Sequence, residues 1–357
     1  MFLIKIKIQG GNEMKAIAYT MPGISLIDIP EPQIQKEGQV KIRVHYASIC
    51  GSDIHTVKGE ADGHFQELGY KPGEPIVIGH EASGVIMEIA EGPNDKGLKA
   101  GDKVTFYYNT HCGNCYFCRN GQEQFCLNIK CSDMAMTEYM VLDQQQVYKL
   151  TDDVDLAKAC IIEPISVCLH GIDLAGIRQG SKVAISGGGG VGLLLLQMAR
   201  LSGASKLTLI EPVEEKRKVA KKLGADHTID PVNEDTVVRA AVITENLGYD
   251  VVIETSGSPR AVLPAYKIAS RGATVELFAI YGDYKFELDL LDMWQRELRL
   301  QTVFQSPYMF PRAIALFPKL DLDDYVQAIF TPEQYQEAFD TMMNGRAAKV
   351  IFKFVRD

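Results

Sequence analysis

The strand-like run Lys182-Val183-Ala184-Ile185-Ser186 leads straight into Gly187-Gly188-Gly189-Gly190-Val191-Gly192, and no other stretch limits the fold as strongly. G-x-G-x-x-G is satisfied at Gly187, Gly189 and Gly192. Glycine is needed in such a place because the chain turns tightly after a strand and a pyrophosphate must approach the backbone. The helix that follows then offers free N–H groups and the positive end of its dipole. The pattern alone is a weak signal, but here a strand precedes it and an apolar helical run follows. Glu211 ends the next strand-like run, 24 residues beyond Gly187. An acid there accepts hydrogen bonds from ribose hydroxyls and repels a 2′-phosphate, favouring NAD over NADP. Lys216 and Arg217 are close enough in sequence to reach a phosphate, which keeps the second cofactor open. The expected cofactor-binding residues are Gly187, Gly189, Val191, Gly192 and Glu211.

From Ser181 onward apolar strand runs alternate with helical periods: KVAISG and VGLLLLQMARLSG, KLTLIE and EEKRKVAKKLG, DVVIETSG and PRAVLPAYKIAS, then ATVELFAI. That alternation predicts a parallel, doubly wound sheet. From Met14 to about Lys149 the text is different, with short β-rich pieces such as VKIRVHYA, ASGVIMEIA and DKVTFYY between turn clusters. A chain of 357 residues exceeds what one core usually serves, so two domains are expected. The tail AKVIFKF is too short for a third and is expected to return to the first. The boundaries read as 14–162 with 307–357 for the β-rich domain and 163–306 for the α/β domain. Residues 1–13 read as a short leader, either an extension of the first strand or sequence upstream of a start at Met14. That leader lacks an apolar core and a cleavage site, so a cytoplasmic location is expected.

Acidic residues exceed basic ones, 46 to 37, which argues against a nucleic-acid partner. No apolar run reaches the roughly 18–20 residues that span a bilayer.

Four of the eight cysteines, Cys112, Cys115, Cys118 and Cys126, fall within 15 residues. Consecutive C-x-x-C steps suit a shared ion better than unstrained disulfides. Four thiolates fill a tetrahedral zinc shell and leave no open position, so the site reads as structural. Cys131, Cys160 and Cys168 show no such spacing and read as buried apolar residues. A second group lies outside the loop: Cys50 in C-G-S-D-I-H, His80 and Glu81 in G-H-E, and Glu163 in E-P-I-S. A thiolate, an imidazole and a carboxylate are the mixture of a catalytic zinc site, in which three protein ligands leave room for water or substrate.

Taken in order, C-G-S-D-x-H, G-H-E-x-x-G, G-D-K-V, the four-cysteine loop, E-P-I-S, the glycine fingerprint and L-G-A-D resemble the zinc-dependent medium-chain dehydrogenase/reductase (alcohol dehydrogenase) family. The sequence looks most like its polyol and threonine dehydrogenase branch. The resemblance covers nearly all of Met14 to Lys353. It implies an α/β chain made of a GroES-like β-rich catalytic domain and a Rossmann doubly wound parallel sheet, usually a homodimer or homotetramer joined through the Rossmann sheets. It implies two Zn²⁺ per chain, one catalytic and one structural, and NAD. Cys50 and His80 match the catalytic zinc ligands, with one of Glu81 and Glu163 at any instant. Ser52 matches the hydroxyl beside the substrate oxygen, and His55 the outer end of a proton relay. Hydride transfer between an alcohol and its ketone is the implied reaction, with a secondary alcohol of a polyol, sugar or cyclitol as substrate. An L-threonine-type amino alcohol is the alternative, and an NAD-binding structural or regulatory relative is the non-enzyme alternative.

Three departures bear on the substrate. The stretch from His55 to His80 is longer than in that branch, the approach from Cys126 to Glu138-Tyr139 is shorter, and Phe304-Gln305-Ser306 stands where sorbitol dehydrogenases resemble F-R-Y.

Overall fold

A computed structural model describes residues 12–132 and 134–355. The chain divides into two compact units. The first comprises the described residues up to Pro164, then Phe310–Pro318 and Val326 onward; the second is Ile165–Met309 with Lys319–Tyr325. The final strand Val350–Lys353 lies in the first unit, but the segment read as 307–357 does not lie in it whole. Lys319–Tyr325 groups with the second, where Tyr325 is fully buried and Asp321 exchanges backbone hydrogen bonds with the Gln197 side chain.

In the first unit the strand Glu13–Tyr19 pairs antiparallel with Ile24–Pro30, so the ladder starts one residue ahead of Met14. Glu31 N–H also donates to the Asn12 carbonyl, making these last leader residues an extension of the strand; residues 1–11 lie outside the described residues. The main sheet centres on Gln39–Ser48, which lies between Glu81–Ile89 and the C-terminal strand Val350–Lys353, antiparallel to both. Ile17, Ile42, Val44, Ile86, Phe106, Phe339 and Phe352 form part of its apolar core.

In the second unit six strands run parallel in the order His227–Ile229, Lys206–Ile210, Lys182–Ser186, Tyr249–Glu254, Ala269–Leu277 and Arg299–Thr302. Numbered along the chain this is 3-2-1-4-5-6, the Rossmann order, whose reversal falls at the first strand, the one that feeds the glycine run. The strands read as unbroken apolar runs because both faces are covered, and Val183, Ala184, Ile185, Leu207 and Leu209 have no exposed surface.

Candidate metal centres and cofactor loop

Cys50 caps the Gly51–Val57 helix. Its backbone N–H donates to Asp53 Oδ2 at 2.8 Å, a reciprocal cap that explains the aspartate of C-G-S-D. His80 and Glu81 open the strand Glu81–Ile89, and the glycines of G-H-E-x-x-G are there for space. A Cβ on Gly79 (φ +94°) would lie 2.6 Å from the Met136 side chain, and one on Gly84 would lie 2.2 Å from the Arg43 carbonyl oxygen. The fold thus brings Cys50, His80 and Glu81 together, with their candidate ligand atoms all within 4.8 Å of one another.

The electrostatics of this group suit a cation. Burial and the Glu81 carboxylate push the Cys50 thiol up, against the pull of His80 and Lys349. Glu81 Oε2 accepts from Ser48 and pairs with the buried ammonium of Lys349, while Oε1 is buried with no partner. An orphaned carboxylate oxygen beside a thiol and an imidazole fits a metal ion, which would satisfy all three at once.

Glu163, in the first turn of the Ile162–Ala175 helix, is buried but lies outside the three-residue group. Its charge acts on Tyr107 and Tyr108, and the Tyr108 ring packs on His80 at 5.0 Å between centroids. Ser52 Oγ is buried without a partner on the Gly51–Val57 helix, and His55 lies one turn further along it.

Sequence reasoning missed Lys349 and Ser48, the partners of Glu81. A lysine directly ahead of the buried run Val350-Ile351-Phe352 was the available signal, since a cation in that setting needs a charge partner.

The other cysteine group is equally compact. The Sγ atoms of Cys112 and Cys126 lie 3.6 Å apart and those of Cys115 and Cys118 3.5 Å. These are non-bonded distances, near the roughly 3.8 Å edge of a tetrahedron with Zn–S bonds of about 2.3 Å. Backbone N–H groups of Cys112 and Asn128 point at Cys126 Sγ. Those of Asn114 and Cys115 lower the Cys112 thiol to about 6, while burial raises Cys118 to about 12. Cys131, Cys160 and Cys168 are buried.

In the cofactor loop, Gly187 has φ +106°, and a Cβ there would lie 2.7 Å from Thr255 Oγ1; one on Gly192 would lie 1.9 Å from the Gly187 carbonyl oxygen. Gly189 caps the Gly190–Leu201 helix, and a Cβ there would meet nothing within 4 Å. That open space is where a phosphate can approach, while Val191 sits in the first turn behind it. Glu211 is tied to the loop itself, accepting from Gly188 N–H at 2.6 Å and Val213 N–H at 2.9 Å. Arg217 donates to the Glu211 and Pro212 carbonyls and pairs with Asp230 at 3.0 Å, which removes it as a ready phosphate ligand.

Known proteins resemble this chain in sequence and fold. The model of the alcohol dehydrogenase GroES-like domain matches residues 36–152 and that of the zinc-binding dehydrogenase domain residues 190–319. L-threonine 3-dehydrogenase of Pyrococcus horikoshii is 32% identical over 96% of this chain and 99% of its own length. D-arabitol-phosphate dehydrogenase of Enterococcus avium is 31% identical over 95% and 97%. The crystal structure of galactitol-1-phosphate dehydrogenase from Escherichia coli superposes with a TM-score of 0.84 at 26% identity, covering 96% of this chain and all of that one. With a GroES-like unit carrying the Cys50 group and a Rossmann unit carrying the glycine loop, the chain belongs to the zinc-dependent medium-chain alcohol dehydrogenase family, in its polyol and threonine dehydrogenase branch.

Proposed function

We propose that this dehydrogenase interconverts a secondary alcohol of a polyol, sugar or cyclitol and its ketone, with NAD as the hydride acceptor. The observation that carries the proposal is the convergence of Cys50, His80 and Glu81, with Glu81 Oε1 buried and unpaired. Cys50 and His80, with one of Glu81 and Glu163 at any instant, would hold the catalytic zinc, and Cys112, Cys115, Cys118 and Cys126 would hold the structural one. When bound, the catalytic zinc supplies a Lewis acid that lets an alcohol hydroxyl lose its proton near neutral pH.

The chain's own residues do the rest. Lys349 and Ser48 hold one oxygen of Glu81, which leaves the other buried without a partner in the group formed with Cys50 and His80. Tyr108 fixes the plane of His80 by ring contact. Ser52 offers a buried hydroxyl to accept the substrate proton, and His55 moves it outward. Glu163 adds negative charge beside Tyr108 and would be the alternative to Glu81 as carboxylate ligand, directly or through water. The acid at Glu211 and the engagement of Arg217 favour NAD over NADP.

The sugar-alcohol names among the relatives support the substrate class. Gln305 in place of the sorbitol-type arginine directs it away from sorbitol itself. A homodimer or homotetramer through the Rossmann sheet is supported by the edge strand Arg299–Thr302, which is paired on one side, and by the exposed Leu291, Trp294 and Leu300 near it. No helix among the described residues is long and apolar enough to cross a membrane, and eight cysteines outside any disulfide suit the reducing cytoplasm.

A panel of polyols, cyclitols, sugar phosphates and L-threonine, each assayed with NAD and NADP at the nicotinamide absorbance, tests the reading. Oxidation of a hydroxyl-rich substrate with NAD is expected. Turnover of L-threonine alone would favour the amino-alcohol alternative, and a zinc-loaded protein inert toward every secondary alcohol would defeat the proposal.

A further inference from the structure

A proton that leaves a buried alcohol has to reach water, and the geometry around His55 extends the route by one residue. His55 Nδ1 lies 2.5 Å from Glu60 Oε2. The contact is built into the end of the Gly51–Val57 helix. Gly59, with φ +79°, donates its N–H to the Thr56 carbonyl at 2.9 Å, and Glu60 donates its own to the His55 carbonyl at 3.0 Å. These two bonds form a Schellman cap, in which the residue after the glycine is returned to the helix position three from its end. Glu60 is thus bound to His55 by main chain and side chain together. The loop beyond is pinned as well, because the hydroxyl of the fully buried Tyr19 donates to Asp62 Oδ1 at 2.6 Å.

Exposure grades along this face in the direction a proton would travel. Ser52 Oγ is buried, the His55 side chain is 36% exposed and that of Glu60 48%. A neutral imidazole has one N–H and one lone pair, and the hydrogen bond at one nitrogen decides which atom carries the proton.

We propose that Glu60 is a positioning residue for proton release: it holds the proton of neutral His55 on Nδ1 and so keeps the Nε2 lone pair ready to accept the proton given up by the alcohol. The inference rests on the dehydrogenase reading above. One proton enters at Nε2 and makes the imidazolium, which the ionised Glu60 stabilises; the Nδ1 proton leaves past Glu60 to bulk water, and exchange with solvent returns the ring to its Nδ1–H tautomer before the next turnover. Glu60 ends each turnover as the carboxylate it began as, since the hydrogen bond from His55 and the charge of Lys58 lower its pKa. The residue falls in the stretch between His55 and His80.

The test uses the zinc-loaded full chain with selectively ¹⁵N-labelled histidine, assigned by a His55→Gln variant, and compares wild type, E60Q and E60A. Wild type is expected to show His55 protonated at Nδ1. E60Q keeps that tautomer because its amide oxygen still accepts, and E60A loses it. In alcohol oxidation E60A is expected to lose about 10–100-fold in kcat, with KM for the alcohol within twofold, and added imidazole buffer to restore much of the rate. Backbone bonds alone make the cap, so thermal stability should be unchanged. An E60A enzyme with the wild-type tautomer and kcat overturns the role of Glu60 while leaving the dehydrogenase reading intact. A wild-type enzyme that oxidises no secondary alcohol defeats both.

Discussion

Replacing Glu276 with glutamine should make the protein more stable at alkaline pH, and the size of the effect follows from where this residue sits. Glu276 lies on the Ala269–Leu277 strand, flanked in register by Ile253 and Gln301, with no exposed surface. Both carboxyl oxygens are buried without a hydrogen-bond partner. Gly171 leaves the space it occupies, since a Cβ there would lie 3.0 Å from Glu276 Oε1 and 2.6 Å from the Phe278 ring. Burial therefore penalises the ionised form and raises the carboxyl from 4.5 to about 8.

The unfolded chain gives up this proton above its ordinary value, whereas the folded chain holds it to about 8. Stability contributed by the neutral acid is complete below the unfolded value and is lost as pH rises through the folded one. The loss runs at about 1.4 kcal/mol per pH unit and reaches roughly 5 kcal/mol in all. Glutamine keeps the shape and cannot ionise. Between about pH 5.5 and 8 the variant should gain about 3 kcal/mol on wild type, roughly 6–12 °C in Tm at about 2–4 °C per kcal/mol for a unit of this size. Calorimetric melts of both proteins from about pH 5.5 to 9 would show it. Two Tm curves that stay parallel across that range would refute the premise that Glu276 is buried and unpaired.

Other perturbations probe the metal and cofactor sites. Cys118→Ser should lower bound zinc from two to one per chain, measured by atomic emission, and cost several kcal/mol in stability while Cys50 and His80 remain intact. Gly192→Ala places a Cβ 1.9 Å from the Gly187 carbonyl oxygen, so the loop must deform; NAD affinity by titration calorimetry should fall at least tenfold, and unchanged affinity would mean that the cofactor does not use this turn. Lys349→Met leaves the Glu81 carboxylate buried without its cation and should cost about 3–5 kcal/mol in urea unfolding of the zinc-free protein. Added zinc should recover part of that loss by compensating the charge. Glu163→Ala should reshape the acidic limb of the kcat profile; a profile identical to wild type would remove Glu163 from the exchange with Glu81.

The parts of the site legible from the sequence are those in which a few neighbouring residues carry the chemistry. C-x-x-C-x-x-C brings thiols together by local turns, and the folded loop groups all four as candidate metal ligands. The glycine run signals a tight turn and close approach, both present at Gly187 and Gly192. Two features are less accessible. Sequence alone presents Glu211 as a free ribose acceptor, yet the backbone N–H of Gly188 in the loop and that of Val213 already donate one to each of its oxygens. The return of Lys319–Tyr325 to the second unit depends on packing around Tyr325 and on Gln197, far away in sequence.

By itself the sequence determined the two architectures and the ligand types, because hydrophobic period, turn chemistry and ligand spacing act over a few residues. Only the tertiary structure decided which charges meet. Glu81 stands beside Cys50 because strand pairing sets Ser48 opposite it, and it meets Lys349 because the C-terminal strand closes on the same sheet. The sheet brings these groups from distant parts of the chain into a buried setting where a charge needs a partner. Coulomb forces are strong there and desolvation is costly, so the assembled sheet decides which carboxylate oxygen is held by lysine and which is left without a partner.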